Sequence, residues 1–357
     1  MFAVKPTLCK SASIITALLL ATSACAKPVS APNMSETTHT QSVNKALTSD
    51  IASNTDRHLR QVLLDVGIKA KIASIEKSNL PNMFQVNLVG QPPLHITADG
   101  KYVIQGELQK NPSPQAVKQN PKRATSAQAG SYVSTELKSS LLANMSALKN
   151  ISAKTPFFYT AVPGVIWGAT LEGVPFLLSD DGQYITDGEI SVIENAQFMG
   201  LDETFEANKN KAVFASLDAS QLITYPATTS ERAVIYVATD VNCPYCRQLH
   251  KQMASLNKKG VTVKTIGYPI YEQSPEQMRG IWCQKDEASR RSALDKAMLQ
   301  GQMTPAPASC TSDYIIPNRE KAAGLAVIAT PAIYRDDGVL YQASFESPEF
   351  LQFLGVQ

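Results

Sequence analysis

The chain has 357 residues, which suits two or three domains of ordinary size. Apolar residues make up 44% and the formal charge is only +2, so a packed globular protein is expected and no nucleic acid or other polyanionic partner is implied.

Residues 1–26 have the three parts of a secretory signal: Lys5 and Lys10 near the start, the apolar run from Ile14 to Ala21, and small residues up to Ala26. That run is too short to span a bilayer as a mature helix. Two cleavages fit the residues. Ala24-Cys25-Ala26 reads as an A-x-A site cut before Lys27, whereas Thr22-Ser23-Ala24-Cys25 resembles a bacterial lipobox, which would make Cys25 a lipidated first residue. Both place the mature protein in the periplasm, where disulfides persist; lipidation would tether it to the outer membrane, because Ala26 rather than Asp follows Cys25. Residues 27–44, rich in Ser, Thr, Pro and Asn, read as a disordered spacer.

Residues 45–108 read as a small α+β domain. Apolar residues such as Leu47, Ile51, Leu59 and Leu63 recur at helical spacing until Gly67, and three short alternating runs follow, with Asp99-Gly100 marking a hairpin. A polar linker rich in Pro, Lys, Gln and Ser covers 109–131. Residues 132–193 repeat the first domain: residues 93–108 match 175–190 without a gap, at a constant offset of 82 (175 − 93), with Pro, Asp-Gly, Tyr and Gly-Glu in register. Two copies are too few for a solenoid and indicate a duplicated α+β domain. Residues 194–229 carry helical patterning through Phe198, Phe205, Val213-Phe214 and Leu217, and read as a linker helix and hinge before a last domain at 230–357.

That last domain holds Cys243-Pro244-Tyr245-Cys246, between the β-branched run Ala233–Ala238 and a segment whose Leu249, Met253 and Leu256 recur at helical spacing. A strand running into a helix through C-x-x-C puts the first sulfur among free backbone N–H groups at the positive end of the helix dipole, where a thiolate is stabilised. Cys243 is therefore the candidate nucleophile and is expected to be accessible, with Cys246 the buried resolving thiol. Pro244 suits the first helical turn. The rival reading is half a zinc site, which needs two more ligands; Cys283 and Cys310 stand singly, and the redox reading is preferred, with no metal. These two have the parity of one structural disulfide; zinc and free thiols are the alternatives. His250 reads as a solvated helical residue, as do Lys251, Lys258 and Lys259. Beyond the helix come a strand at Gly260–Ile266, a helical insert over about 274–303, a strand pair around Asp336-Asp337-Gly338, and a capped last helix from Ser347.

With these residues assembled, 67–354 resemble the DsbC and DsbG family of periplasmic thiol:disulfide interchange proteins. The resemblance is carried by Thr239-Asp240 ahead of the C-P-Y-C, Leu249-His250, Ile281-Trp282-Cys283, Ala306-Pro307-Ala308-Ser309-Cys310 and Thr330-Pro331-Ala332. It implies a thioredoxin-like catalytic domain with a helical insert, preceded by two tandem DsbC N-terminal-like domains where the family has one. It further implies a structural disulfide between Cys283 and Cys310, and a substrate-holding loop at Thr330-Pro331, with Tyr245 placed to touch a docked peptide. Pro244 departs from the DsbC pattern and looks like the DsbG branch. No dissociable cofactor is implied. The implied partners are misoxidised exported proteins and a membrane thiol reductant of the DsbD type. A homodimer is expected, although pairing of the two copies within one chain would give a monomer. The leading function is isomerisation or reduction of non-native disulfides. The alternatives are a DsbG-like reductase of sulfenylated single cysteines and a chaperone with secondary thiol chemistry.

Overall fold

The computed structural model describes residues 51–112, 127–146, 148, 150–310 and 315–356. The signal, the spacer, Cys25 and residues 113–126 of the expected linker lie outside these.

The first α+β segment holds α1 (Ser53–Asp65), β1 (Ile72–Lys77), β2 (Met83–Leu88), β3 (Leu94–Thr97), β4 (Tyr102–Gln105) and the two-residue β5 (Gln109–Lys110). The second holds α2 (Thr135–Asn144), β6 (Phe157–Tyr159), β7 (Val165–Ala169), β8 (Pro175–Ser179), β9 (Tyr184–Thr186), β10 (Ile190–Glu194) and β11 (Gln197–Leu201). In each, helix and sheet meet through residues at the repeat offset. Leu59 and Leu63 of α1 share a core with Ile75, Leu94 and Ile96. Leu141 of α2 and Met145 at its end share one with Phe157, Phe176 and Leu178. The β3–β4 turn closes on Asp99, whose carboxylate accepts from the Thr97 hydroxyl and the Lys101 N–H; Asp181 does the same with Ser179 and Gln183 between β8 and β9.

Sheet order separates what chain order suggests. One sheet runs β1-β2-β3-β4-β10-β11 and the other β5-β9-β8-β7-β6, so β10 and β5 each lie in the sheet of the other segment. The helical patterning read around Phe198 is corrected here: 197–201 is a strand, paired with β10 across a turn in which Asn195 and Ala196 take φ of 50° and 57°. Ala gives no sequence sign of a left-handed turn, so the hairpin was hidden.

The third part begins with α3 (Glu203–Ser216) and β12 (Ile223–Tyr225), then β13 (Ala233–Thr239), α4 (Pro244–Lys251), α5 (Met253–Lys258) and β14 (Val261–Gly267). The insert contributes α6 (Ser274–Trp282), α7 (Glu287–Asp295) and a π-helical turn (Lys296–Gln300); α8 (Ile316–Lys321), β15 (Ala332–Arg335) and α9 (Pro348–Leu354) complete the chain. The sheet order is β12-β14-β13-β15, with β13 and β14 parallel and the other pairs antiparallel. A parallel pair needs a crossover, and α4 and α5 supply it, which sets the N-terminus of α4 at the C-terminal end of the central strand β13. Because β12 belongs to this sheet, the sheet starts before residue 230. The return strand expected after Gly338 is reduced to one bridge, Tyr334 to Leu340.

Candidate redox active site

Cys243 is the N-cap of α4 and Pro244 its first residue. The Cys243 Sγ accepts the Cys246 backbone N–H at 3.4 Å, so the sulfur takes the place that a Ser or Asp oxygen holds in an ordinary cap. On its other side Cys243 Sγ lies 3.1 Å from the Thr330 carbonyl, to which it donates only in its protonated form. Donation from the Cys246 thiol, aided by the N–H groups of Cys246 and Tyr245, holds the Cys243 pKa at about 6 against the pull of burial, from an ordinary 9.0. Burial pushes the Cys246 thiol up, and its bond to Cys243 adds to that. One thiol is thus a thiolate at neutral pH and the other a bound proton source.

Accessibility does not separate the pair: both cysteines are 2% exposed. This corrects the expectation that Cys243 is the open one. What opens the site is its rim. Tyr245 is 63% exposed, Ile270 47%, Tyr271 40% and Ile328 95%.

Asp240, fully buried behind the cysteines, holds this rim. Its carboxylate accepts from the N–H groups of Asn242, Ile270 and Tyr271 and from the Ser274 hydroxyl, and Asn242 reaches on to Ser274 and Gln277. The turn before Cys243 and the loop before α6 are therefore one hydrogen-bonded unit. Asp240 entered the sequence reading only through the family resemblance, and its partners beyond Asn242, on the loop and helix start 30 to 34 residues on, give no local signal. The Thr330-Pro331 peptide bond is cis, and β15 follows directly. Cys283 and Cys310 are disulfide-bonded with Cα atoms 5.8 Å apart, closing the helical insert on itself.

His250 is not solvated. It is 5% exposed, its Nε2 lies 2.8 Å from the Asp295 carboxylate, and its ring meets Tyr225 edge-on, while the Tyr225 hydroxyl also donates to Asp295. This trio ties the insert to α4 and β12. Lys251 and Lys258 are exposed. Among the described residues no cluster of three or more His, Cys, Asp or Glu side chains could hold a metal ion.

A four-stranded sheet carrying C-x-x-C at a helix start, with one thiol depressed and the other raised, defines a thiol-disulfide oxidoreductase of the thioredoxin-like class. Residues 219–354 match the model of a thioredoxin-like domain, and residues 46–113 that of the disulfide bond isomerase N-terminal domain. The chain is 34% identical over 193 residues to the thiol:disulfide interchange protein DsbC of Escherichia coli, covering 51% of this chain and 78% of that one. It is 32% identical over 198 residues to DsbC of Salmonella typhimurium, covering 53% and 77%. A crystal structure of a disulfide interchange protein from Neisseria gonorrhoeae aligns at 18% identity and TM-score 0.34, over 39% of this chain and 96% of that one. The chain belongs to the DsbC family of thiol:disulfide interchange proteins.

Proposed function

We propose that Cys243 is the attacking thiol of this enzyme and Cys246 its resolving thiol, and that the clients are misoxidised exported proteins. The Cys243 thiolate attacks one sulfur of a client disulfide; a mixed disulfide forms and the other client sulfur leaves as a thiolate. A second client thiolate then attacks the client sulfur of the mixed disulfide, which makes the new client disulfide and returns Cys243 with no net electron transfer. If Cys246 attacks Cys243 instead, the client leaves reduced and the enzyme is oxidised by two electrons, which a membrane dithiol of the DsbD type restores.

The observation that carries this reading is the cap at α4, where the Cys243 sulfur sits between the Cys246 N–H and the Thr330 carbonyl. In this reading Thr330 and Pro331 present backbone beside that sulfur to an extended client segment, and exposed Tyr245 contacts it. The Cys283–Cys310 bridge is structural. Periplasmic location follows from the signal read over residues 1–26, with Cys25 the anchor if the lipobox is the cleavage used. Pro244 keeps the DsbG-like reduction of sulfenylated cysteines as a second reading, separable by assaying a client with one sulfenylated cysteine.

The test is reshuffling of a scrambled-disulfide client. Cys243→Ala is expected to abolish it, and Cys246→Ala to trap Cys243 in those mixed disulfides that no client thiol resolves; reshuffling by Cys243→Ala would overturn the assignment.

A further inference from the structure

Each N-terminal sheet lends the other a strand. β10 pairs antiparallel with β4, Ser191 opposite Val103 and Val192 opposite Tyr102. β5 pairs antiparallel with β9, Gln109 opposite Ile185 and Lys110 opposite Tyr184. Every residue of the second contact is the counterpart of one in the first: 191 − 82 = 109, 192 − 82 = 110, 103 + 82 = 185 and 102 + 82 = 184. The same contact is made twice, with the partners reversed, as in an isologous interface across a two-fold axis.

The chain crossing shows the same reciprocity. Gly106 and Gly188, again 82 apart, stand where the outgoing strands pass. A Cβ on Gly188 would lie 2.6 Å from the Gln105 carbonyl oxygen, and one on Gly106, at φ 138°, 3.1 Å from the Thr186 hydroxyl. The Gly-Glu shared by the two copies is thus explained by close passage of two backbones. Nearby, Asn82 donates to the Pro163 carbonyl at 2.9 Å, while a Cβ on its counterpart Gly164 would strike Pro81, the counterpart of Pro163.

The outer faces, by contrast, have diverged. On the second sheet Phe158, Trp167, Ala169 and Leu177 are buried in one core with Phe205 and Val213 of α3 and Tyr334 of β15. Their counterparts 82 residues earlier are Glu76, Gln85, Asn87 and His95. Asn87 bridges Gln85 and Glu76, and His95 bonds Ser78 and the Gly106 carbonyl, so that face satisfies itself with polar groups. These four positions offer no apolar seat to a second catalytic domain, and Met83 and Ile104 of the same sheet are already buried in the core shared with the second.

We propose that this chain is a single-chain pseudo-dimer: its two N-terminal sheets stand in for two subunits, only the second of which carries a catalytic domain. The family's implied homodimer pairs like modules of two chains along their edge strands, and here the two like edges, β4 and β9, are both filled from within the chain, which leaves β1 and β11 as the edges of one sheet and β5 and β6 as those of the other. The functional unit is then a monomer with one Cys243–Cys246 pair.

Assembly is read by mass and redox function by thiol chemistry, so failure of either reading leaves the other standing. Light scattering after size-exclusion chromatography of the processed full chain, at micromolar concentration, is expected to give the mass of one chain; twice that mass overturns the proposal. A second measurement tells whose strands are exchanged. Gln109→Cys with Ile185→Cys, in a Cys243→Ser, Cys246→Ser background, is oxidised and run denatured without reductant. A bond closed within single chains supports the proposal, and a disulfide-linked pair of chains overturns it.

Discussion

Cys243 binds its proton less tightly in the fold, near pH 6 against 9.0, so folding of the reduced protein favours the thiolate. A lowered pKa stabilises the fold fully above the unfolded value of 9.0, and that contribution is lost as pH falls through about 6. The stability difference between the reduced protein and Cys243→Ser is therefore expected to shrink from pH 9 to pH 6 in denaturant titrations. Alkylation of Cys243 should rise through a midpoint near pH 6 and then flatten; a midpoint near 9 would remove the thiolate from the account. The cysteine pair was legible because helix start, C-x-x-C and preceding strand lie within a few residues of one another. Asp240 and His250 were not, because Ile270, Ser274 and Asp295, which give them their meaning, are 30 to 45 residues away in the chain.

At the scale of elements, α3 joins the catalytic sheet to the second N-terminal sheet through two buried polar side chains. Lys209 Nζ donates to the Gly324 carbonyl at 2.8 Å, lies 3.2 Å from Glu206 and sits 4.4 Å above the Trp167 ring, while Asn210 donates to the Gly338 carbonyl at 2.9 Å. Replacing Lys209 by Ala leaves the Gly324 carbonyl and Glu206 without their partner and opens a void, at a cost of about 2–4 kcal/mol in urea denaturation. No loss would mean that α3 is held by its apolar contacts alone. The insert is stabilised differently. In the loop-entropy view its disulfide contributes about 3.5 kcal/mol, so Cys283→Ala with Cys310→Ala is expected to lower stability by roughly that amount while the Cys243 alkylation midpoint stays in place. A moved midpoint would show that the bridge also shapes the active site. Helix and strand positions in the repeat were readable from period and turn residues. The exchange of β5 and β10 was not, because two copies of one edge look alike in sequence, and β5 begins what reads as a polar linker.

At the scale of the molecule, one apolar core runs through all three sheets. Met83 and Ile104 from the first, Trp167 and Leu177 from the second, Val213 from α3, and Ile266 and Ala332 from the catalytic sheet belong to it. A core shared this way couples parts that chain order presents as separate domains, because no sheet loses its packing without stripping its neighbour. The chain's two tryptophans report on two cores: Trp167 lies in the shared core, and Trp282, with its indole N–H on the Gln221 carbonyl, in the separate core of the catalytic domain. Single-tryptophan variants, Trp282→Phe and Trp167→Phe, are expected to unfold in urea at coincident midpoints. Gly188→Ala then tests the coupling from the far side, since its Cβ would press on the Gln105 carbonyl where the exchanged strands cross. Overpacking of that kind costs about 1–3 kcal/mol. If the sheets fold as one unit, the Trp282 signal from the other core shifts with the Trp167 signal; if only the Trp167 midpoint falls, the catalytic domain folds independently of the exchange.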